Sequence, residues 1–211
     1  MKWGVVVLAA GTSSRMGRPK MTLSWDGTTV LARVLETLAL AMGGRSAAAV
    51  VVAGGDEEAV RAEVSRVSGA LARRLGGRMD AACALNPDFR NGEMIDSLRG
   101  GLRSLPPDVD RALVALGDQP QLSVEAARAV LEAAERSAAP ILVPACGGRR
   151  GHPWAVHRAL WDDLLRATPI PTTRPPAAPT TVPTPTPSAD TAPVPTDTPA
   201  PPPSPRRARR A

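Results

Sequence analysis

Val5-Val6-Val7-Leu8-Ala9-Ala10-Gly11-Thr12-Ser13-Ser14-Arg15-Met16-Gly17-Arg18-Pro19-Lys20 decides the fold. Its first five residues are an apolar run of strand length that ends in a glycine-bracketed polar loop. A short run with no polar alternation is what a strand buried on both faces of a parallel sheet looks like. Runs of the same kind recur at Ala48–Ala53, more weakly at Ala81–Leu85, then at Ala112–Leu116 and Ile141–Val143. Between them apolar residues fall at helical spacing: Leu31, Val34, Leu35, Leu38 and Met42, then Val60, Val64, Val67 and Leu71. Ile95, Leu98, Leu102 and Leu105 follow, then Ala126, Val130, Leu131 and Ala134, and last Leu160, Leu164 and Leu165. Five alternations of strand and helix predict an α/β domain with a mainly parallel sheet and helices on both faces.

Such sheets bind ligands beyond the carboxyl ends of their strands. The polar and glycine-rich segments lie in those positions: 10–20, Gly54-Gly55, 86–92, 117–120 and 147–153 each follow an apolar run. Ser123, just after one of them, is placed to cap the helix that follows.

Proline placement divides the chain. Of 23 prolines in 211 residues, 15 lie after Ala167. Each proline removes a backbone donor and fixes φ, so that density is foreign to a packed core. The expected organisation is a globular domain over 1–167 and a disordered Pro/Thr/Ala-rich tail over 168–211, extended and polyproline-like. Arg174, Arg206, Arg207, Arg209 and Arg210 against Asp190 and Asp197 give the tail half of the net charge of +6. Aromatic residues make up 2% of the chain, with no tyrosine, too few for base-stacking surfaces, so nucleic acid is not an expected partner. The four tryptophans are read as packing residues. No apolar run reaches the roughly 18 residues of a membrane span, and no secretory signal pattern opens the chain, so a cytoplasmic protein is expected. Cys83 and Cys146 make neither a disulfide framework nor a zinc cluster, and are read as small buried residues.

The loop of 10–20 has the chemistry of a polyphosphate cradle. Its glycines let the backbone approach a ligand, successive N–H groups form an anion-binding concavity, and Arg15 and Lys20 offset phosphate charge. It is not a Walker A loop, since five residues separate Gly11 from Gly17 and Met21 follows Lys20. It is not the dinucleotide pattern either, because Ser13 stands where the second glycine is needed. Asp118, in Gly117-Asp118-Gln119-Pro120 at the end of a strand, is placed to hold a hard cation such as Mg²⁺ opposite a polyphosphate.

The string 8–20 resembles the signature L-A-[AG]-G-x-S-x-R-M-G-x-x-K of the MobA-like nucleotidyltransferases. Its Ala-Ala-Gly form is similar to the molybdenum cofactor cytidylyltransferase branch, as is Asp118-Gln119-Pro120. The resemblance implies a three-layer, Rossmann-like fold of the nucleotide-diphospho-sugar-transferase type. It also implies transfer of CMP from CTP to the terminal phosphate of a molybdenum-bound pterin, with pyrophosphate released. By that carry-over Leu8, Ala9, Ala10, Gly11, Ser13, Ser14, Met16 and Gly17 hold the nucleotide. Arg15 grips the outer phosphates, Lys20 stabilises charge on the α-phosphate, and Asp118 holds Mg²⁺. Asn86, Gly92 and Ser97, in a stretch resembling the family's N-x(5)-G-x(4)-S-L-x-x-G-L, are expected beside the nucleobase. His152, in Gly147-Gly148-Arg149-Arg150-Gly151-His152-Pro153, is expected toward the acceptor with Arg149 and Arg150. A recipient molybdoenzyme or its chaperone is the implied downstream partner.

The resemblance stops near Ala167, where the family carries a closing αβ unit with a second metal-binding aspartate. The tail stands there instead, as an evolved replacement or as the out-of-frame end of a GC-rich gene (24 arginines against 2 lysines). The sheet is therefore expected to lack its closing element. The competing readings are another NTP:phosphate-acceptor transferase, a nucleotide-binding remnant without turnover, and a scaffold that recruits partners through its proline-rich tail.

Overall fold

The computed structural model describes residues 1–11, 19–75, 79–90, 93–166 and 180–183. The elements run β1 (Trp3–Ala9), β2 (Ser24–Trp25), β3 (Thr28–Thr29), α1 (Val30–Met42), β4 (Ala47–Ala53), α2 (Glu57–Leu75), β5 (Met79–Leu85), α3 (Met94–Ser104) and β6 (Arg111–Leu116). They continue as α4 (Val124–Glu135), β7 (Ile141–Cys146), β8 (Arg149–Arg150), β9 (Trp154–His157), α5 (Trp161–Arg166) and β10 (Thr180–Pro183).

The main sheet has the order β10-β7-β9-β6-β1-β4-β5, with β8 on β7. β1 lies at its centre, parallel to β4 on one side and to β6 on the other, and β4 continues the parallel ladder to β5. Alternate residues of β1 explain its unbroken apolar run. Val5, Val7 and Ala9 pack with Leu31, Leu35, Val60 and Leu131 of α1, α2 and α4 on one face. Val6 and Leu8 pack with Leu98, Leu102 and Trp161 of α3 and α5 on the other. Both sides of the strand are dry, so neither could be polar. The outcome is the three-layer α/β architecture that the alternation predicts. Thr29 and Ser123 cap α1 and α4, their side chains accepting from the N–H of Ala32 and Ala126 at 3.1 Å. None of the helices is long and apolar enough to cross a membrane, among the described residues.

The parallel pattern breaks at one edge. β9 runs antiparallel between β6 and β7, and β7 folds back into β8 through Gly147 and Gly148, both at positive φ. The two-glycine turn suits a tight hairpin, because both central residues need left-handed backbone. A second hairpin, β2–β3, turns at Asp26 (φ 45°) and Gly27 (φ 75°). The cysteines depart from expectation: Cys83 is half-buried and Cys146 is exposed.

The tail also departs from expectation, at four residues. Thr180–Pro183 form β10, which pairs in parallel with Leu142–Ala145 of β7 at the sheet edge. Proline-rich sequence is compatible with a strand there, since an edge strand has one side on which no donor is needed. Thr180, Thr181 and Val182 are β-branched, which favours the extended backbone. The remainder of the tail lies outside the described residues.

Candidate active site at the carboxyl edge of the sheet

The loops leaving β1, β4, β5 and β6 are tied together by backbone bonds that prolong the strand ladders. Gly117 N–H donates to the Leu8 carbonyl and Asn86 N–H to the Ala53 carbonyl, each at 2.9 Å. Glycine at 54 makes the closest approach possible. A Cβ there would stand 2.3 Å from the Ala10 carbonyl oxygen and 2.8 Å from Phe89 Cβ.

Between these loops lies a cavity of about 310 Å³, at the lower end of the range of small-molecule sites. Leu8, Ala10, Gly11, Asn86, Ser97 and Asp118 line it, so six sequence-predicted residues from four parts of the chain meet there. Ala9, between two of them, turns its methyl into the core. Arg15, with Ser13, Ser14, Met16, Gly17 and Gly92, lies outside the described residues. Lys20 begins a 3-10 turn and lines a neighbouring cavity, which it shares with Asp118.

Asn86 and Ser97 are almost fully buried and bonded to each other. Asn86 Nδ2 donates to Ser97 Oγ at 2.9 Å, while Asn86 Oδ1 accepts from the Asp88 N–H at 3.0 Å. The pair fastens the loop after β5 to the first turn of α3, whose start is further held by the Glu93 N–H donating to Asp96 Oδ2 at 2.9 Å. Met21, Phe89, Glu93 and Met94 also line the cavity, and sequence reasoning missed them. The signal for Phe89 was indirect, since the glycines at 54 and 55 are where its ring packs.

His152 sits near this edge without lining the cavity. Its ring stacks on Trp154, centroids 4.5 Å apart, and its Nε2 is buried without a hydrogen-bond partner among the described residues. Burial pushes the imidazole below its usual value, and the Asp118 carboxylate pulls it partly back. A histidine kept neutral by the fold binds its proton more readily when unfolded, so stability is full above about pH 6.5 and declines as the pH falls below it. Thermal denaturation between pH 8 and pH 5 should show that decline in the wild type and a shallower one in His152→Phe. Equal slopes would show that His152 does not titrate in this way.

As for a metal, Asp118 offers a carboxylate in the wall of this cavity, and no group of three His, Cys, Asp or Glu side chains converges among the described residues. That donor set fits Mg²⁺, which is commonly held by one or two carboxylates with phosphates and water supplying the rest.

An open α/β sheet whose carboxyl-edge loops surround such a cavity is the architecture of a nucleotide-binding domain. The MobA-like NTP transferase domain matches residues 5–174, and the chain belongs to that family. It is 44% identical over 41 residues to a probable molybdenum cofactor guanylyltransferase of Bacillus cereus (strain ATCC 10987 / NRS 248). That match takes in 19% of this chain and 20% of the relative, so the chain spans about one fifth of the length of the curated relatives it matches. Among solved structures it is similar to Rv0371c of Mycobacterium tuberculosis H37Rv, at 28% identity and TM-score 0.60, over 79% of this chain and 77% of that one. It also superposes on the 4-diphosphocytidyl-2C-methyl-D-erythritol synthase of Anaerococcus prevotii DSM 20548, at 16% identity and TM-score 0.58, over 82% and 78% of the two chains. The latter likeness is one of fold.

Proposed function

We propose that this protein is a nucleotidyltransferase that moves CMP from CTP to the terminal phosphate of a molybdenum-bound pterin and releases pyrophosphate. The observation that carries the reading is the convergence of Ala10, Gly11, Asn86, Ser97 and Asp118 on one cavity at the carboxyl edge of the sheet. An oxygen of the acceptor phosphate attacks the α-phosphorus of CTP, and the bond from that phosphorus to the bridging oxygen breaks as pyrophosphate leaves. The acceptor is already an anion at neutral pH, so no protein base is required.

The chain's own part is positioning and charge stabilisation. The loop opened by Ala10 and Gly11 cradles the triphosphate, with Arg15 on its outer phosphates. Lys20 offsets charge at the α-phosphate. Asn86 and Ser97 shape the end of the cavity that takes the base. Asp118 would hold Mg²⁺, which when bound would supply positive charge to offset the charge that develops on the phosphates. A structure of the mycobacterial Rv0371c in complex with manganese, 26% identical to this chain, supports a cation of this oxygen-preferring class.

Guanylyl transfer is the second reading, because the curated relatives are probable guanylyltransferases. The two are separated by offering CTP, GTP, ATP and UTP with the phosphorylated pterin and scoring pyrophosphate release. CTP is expected to be favoured by about tenfold or more, as a base-edge contact allows. Preference for GTP would replace the first reading by the second. CTP binding with no turnover of any nucleotide would identify a binding remnant.

A further inference from the structure

Asp118 stands where two cavities meet. One is the cavity described above. The other, about 330 Å³, opens between the β2–β3 hairpin and the turn after β6, with Lys20, Leu23, Trp25, Val30, Asp118 and Pro120 in its wall. Transfer between two phosphate-bearing substrates requires adjoining sites that share the reacting centre, because only then are the two anions held within reach of each other.

The second cavity contains an aromatic side chain of unusual setting. Trp25 is 44% exposed, whereas Trp3 and Trp161 are 1% exposed and Trp154 is covered by the His152 ring. A single exposed apolar residue is ordinary on a protein surface. What sets Trp25 apart is its mounting. The hairpin turns in two residues, Asp26 and Gly27, both with positive φ. Its base is closed by the Val30 N–H donating to the Leu23 carbonyl at 3.0 Å, and its tip is held by Arg33 on Asp26 Oδ2 at 3.0 Å. Thr29 at its end donates to Glu63, a carboxylate held below its usual range by the Arg66 guanidinium. An indole presented this way loses little conformational freedom on meeting a ring, which is the condition for a stacking platform.

We propose that Trp25 stacks on the flat heteroaromatic ring of the phosphorylated acceptor, in the cavity whose wall also holds Lys20 and Asp118. The inference rests on the transferase reading and adds to it the residue that selects the acceptor, favouring a planar ring that carries a phosphate over a sugar phosphate. Trp25 is thereby a specificity-determining residue, with no part in bond making.

The test uses the intact chain and two probes, 6-hydroxymethylpterin monophosphate and glycerol 3-phosphate, with CTP binding in Mg²⁺ followed in parallel by calorimetry. Pterin phosphate should quench the emission of the wild type, and Trp25→Ala should remove that quenching. The same variant should bind pterin phosphate about tenfold or more weakly, as loss of one stacked ring allows, with CTP affinity unchanged and Trp25→Phe recovering most of the loss. Equal pterin phosphate affinity in wild type and Trp25→Ala overturns the proposal, as does an equal loss for glycerol 3-phosphate or no pterin phosphate binding by the wild type. A wild type that takes pterin phosphate through Trp25 and no nucleotide would leave the stacking site standing and overturn the transferase reading alone.

Discussion

Exchanging Asp118 for Asn should lower pyrophosphate release by about a thousandfold while leaving thermal stability unchanged. The side chain is exposed at the mouth of both cavities, so the isosteric amide has nothing to disturb in the core. What it removes is the negative charge, and with it the hard oxygen donor expected to hold Mg²⁺ against the phosphates. Denaturation curves and steady-state rates on the same preparation separate the two effects. A variant that turns over at the wild-type rate would take Asp118 out of the mechanism. A variant that melts early would show that the carboxylate has a structural duty instead.

Gly54→Ala should also damage the site, by a different route. The added Cβ would lie 2.3 Å from the Ala10 carbonyl oxygen, a distance backbone atoms cannot relieve without moving apart. The loop that opens the nucleotide cradle would be pushed away from β4, and Phe89 displaced with it. About 1–3 kcal/mol of stability should be lost, in line with other overpacked sites, together with at least about tenfold in CTP affinity. Gly100→Ala is the matched control. A Cβ at Gly100 meets nothing within 4 Å among the described residues, and alanine favours the helix by roughly 0.5–1 kcal/mol. If Gly54→Ala binds CTP as tightly as Gly100→Ala, the close packing of the loops after β1 and β4 is not what shapes the site.

The parts of the structure legible in the sequence are those with a long apolar signature. β1 is framed by helices on both faces, so its composition alone marks it as a central parallel strand, and Val50, Val52, Leu113 and Val114 repeat the pattern. Asp118, Asn86 and Ser97 could be brought together in advance because parallel strands deliver their following loops to the same edge. Short elements were another matter. Two-residue strands such as β2 and β3 have no periodicity to detect, although Asp26-Gly27 carries the turn chemistry of a tight hairpin. β9, four residues at Trp154–His157, is too short to distinguish from a loop, and its antiparallel insertion between β6 and β7 follows from pairing rather than from composition. β10 was hidden by the prolines around it, and its own one, Pro183, is tolerated because the strand lies at an edge. The same limit hid the exposure of Trp25: a tryptophan usually packs, and only the hairpin geometry turns this one outward.

The proposed function stands or falls with the cavity between Gly11 and Asp118 as a triphosphate site. A crystal structure of the chain with Mg²⁺ and a non-hydrolysable CTP analogue tests it most directly. The triphosphate should lie along the loop that follows β1, with the metal on Asp118 and the base at Asn86 and Ser97. An analogue bound elsewhere, with that cavity vacant, would contradict it.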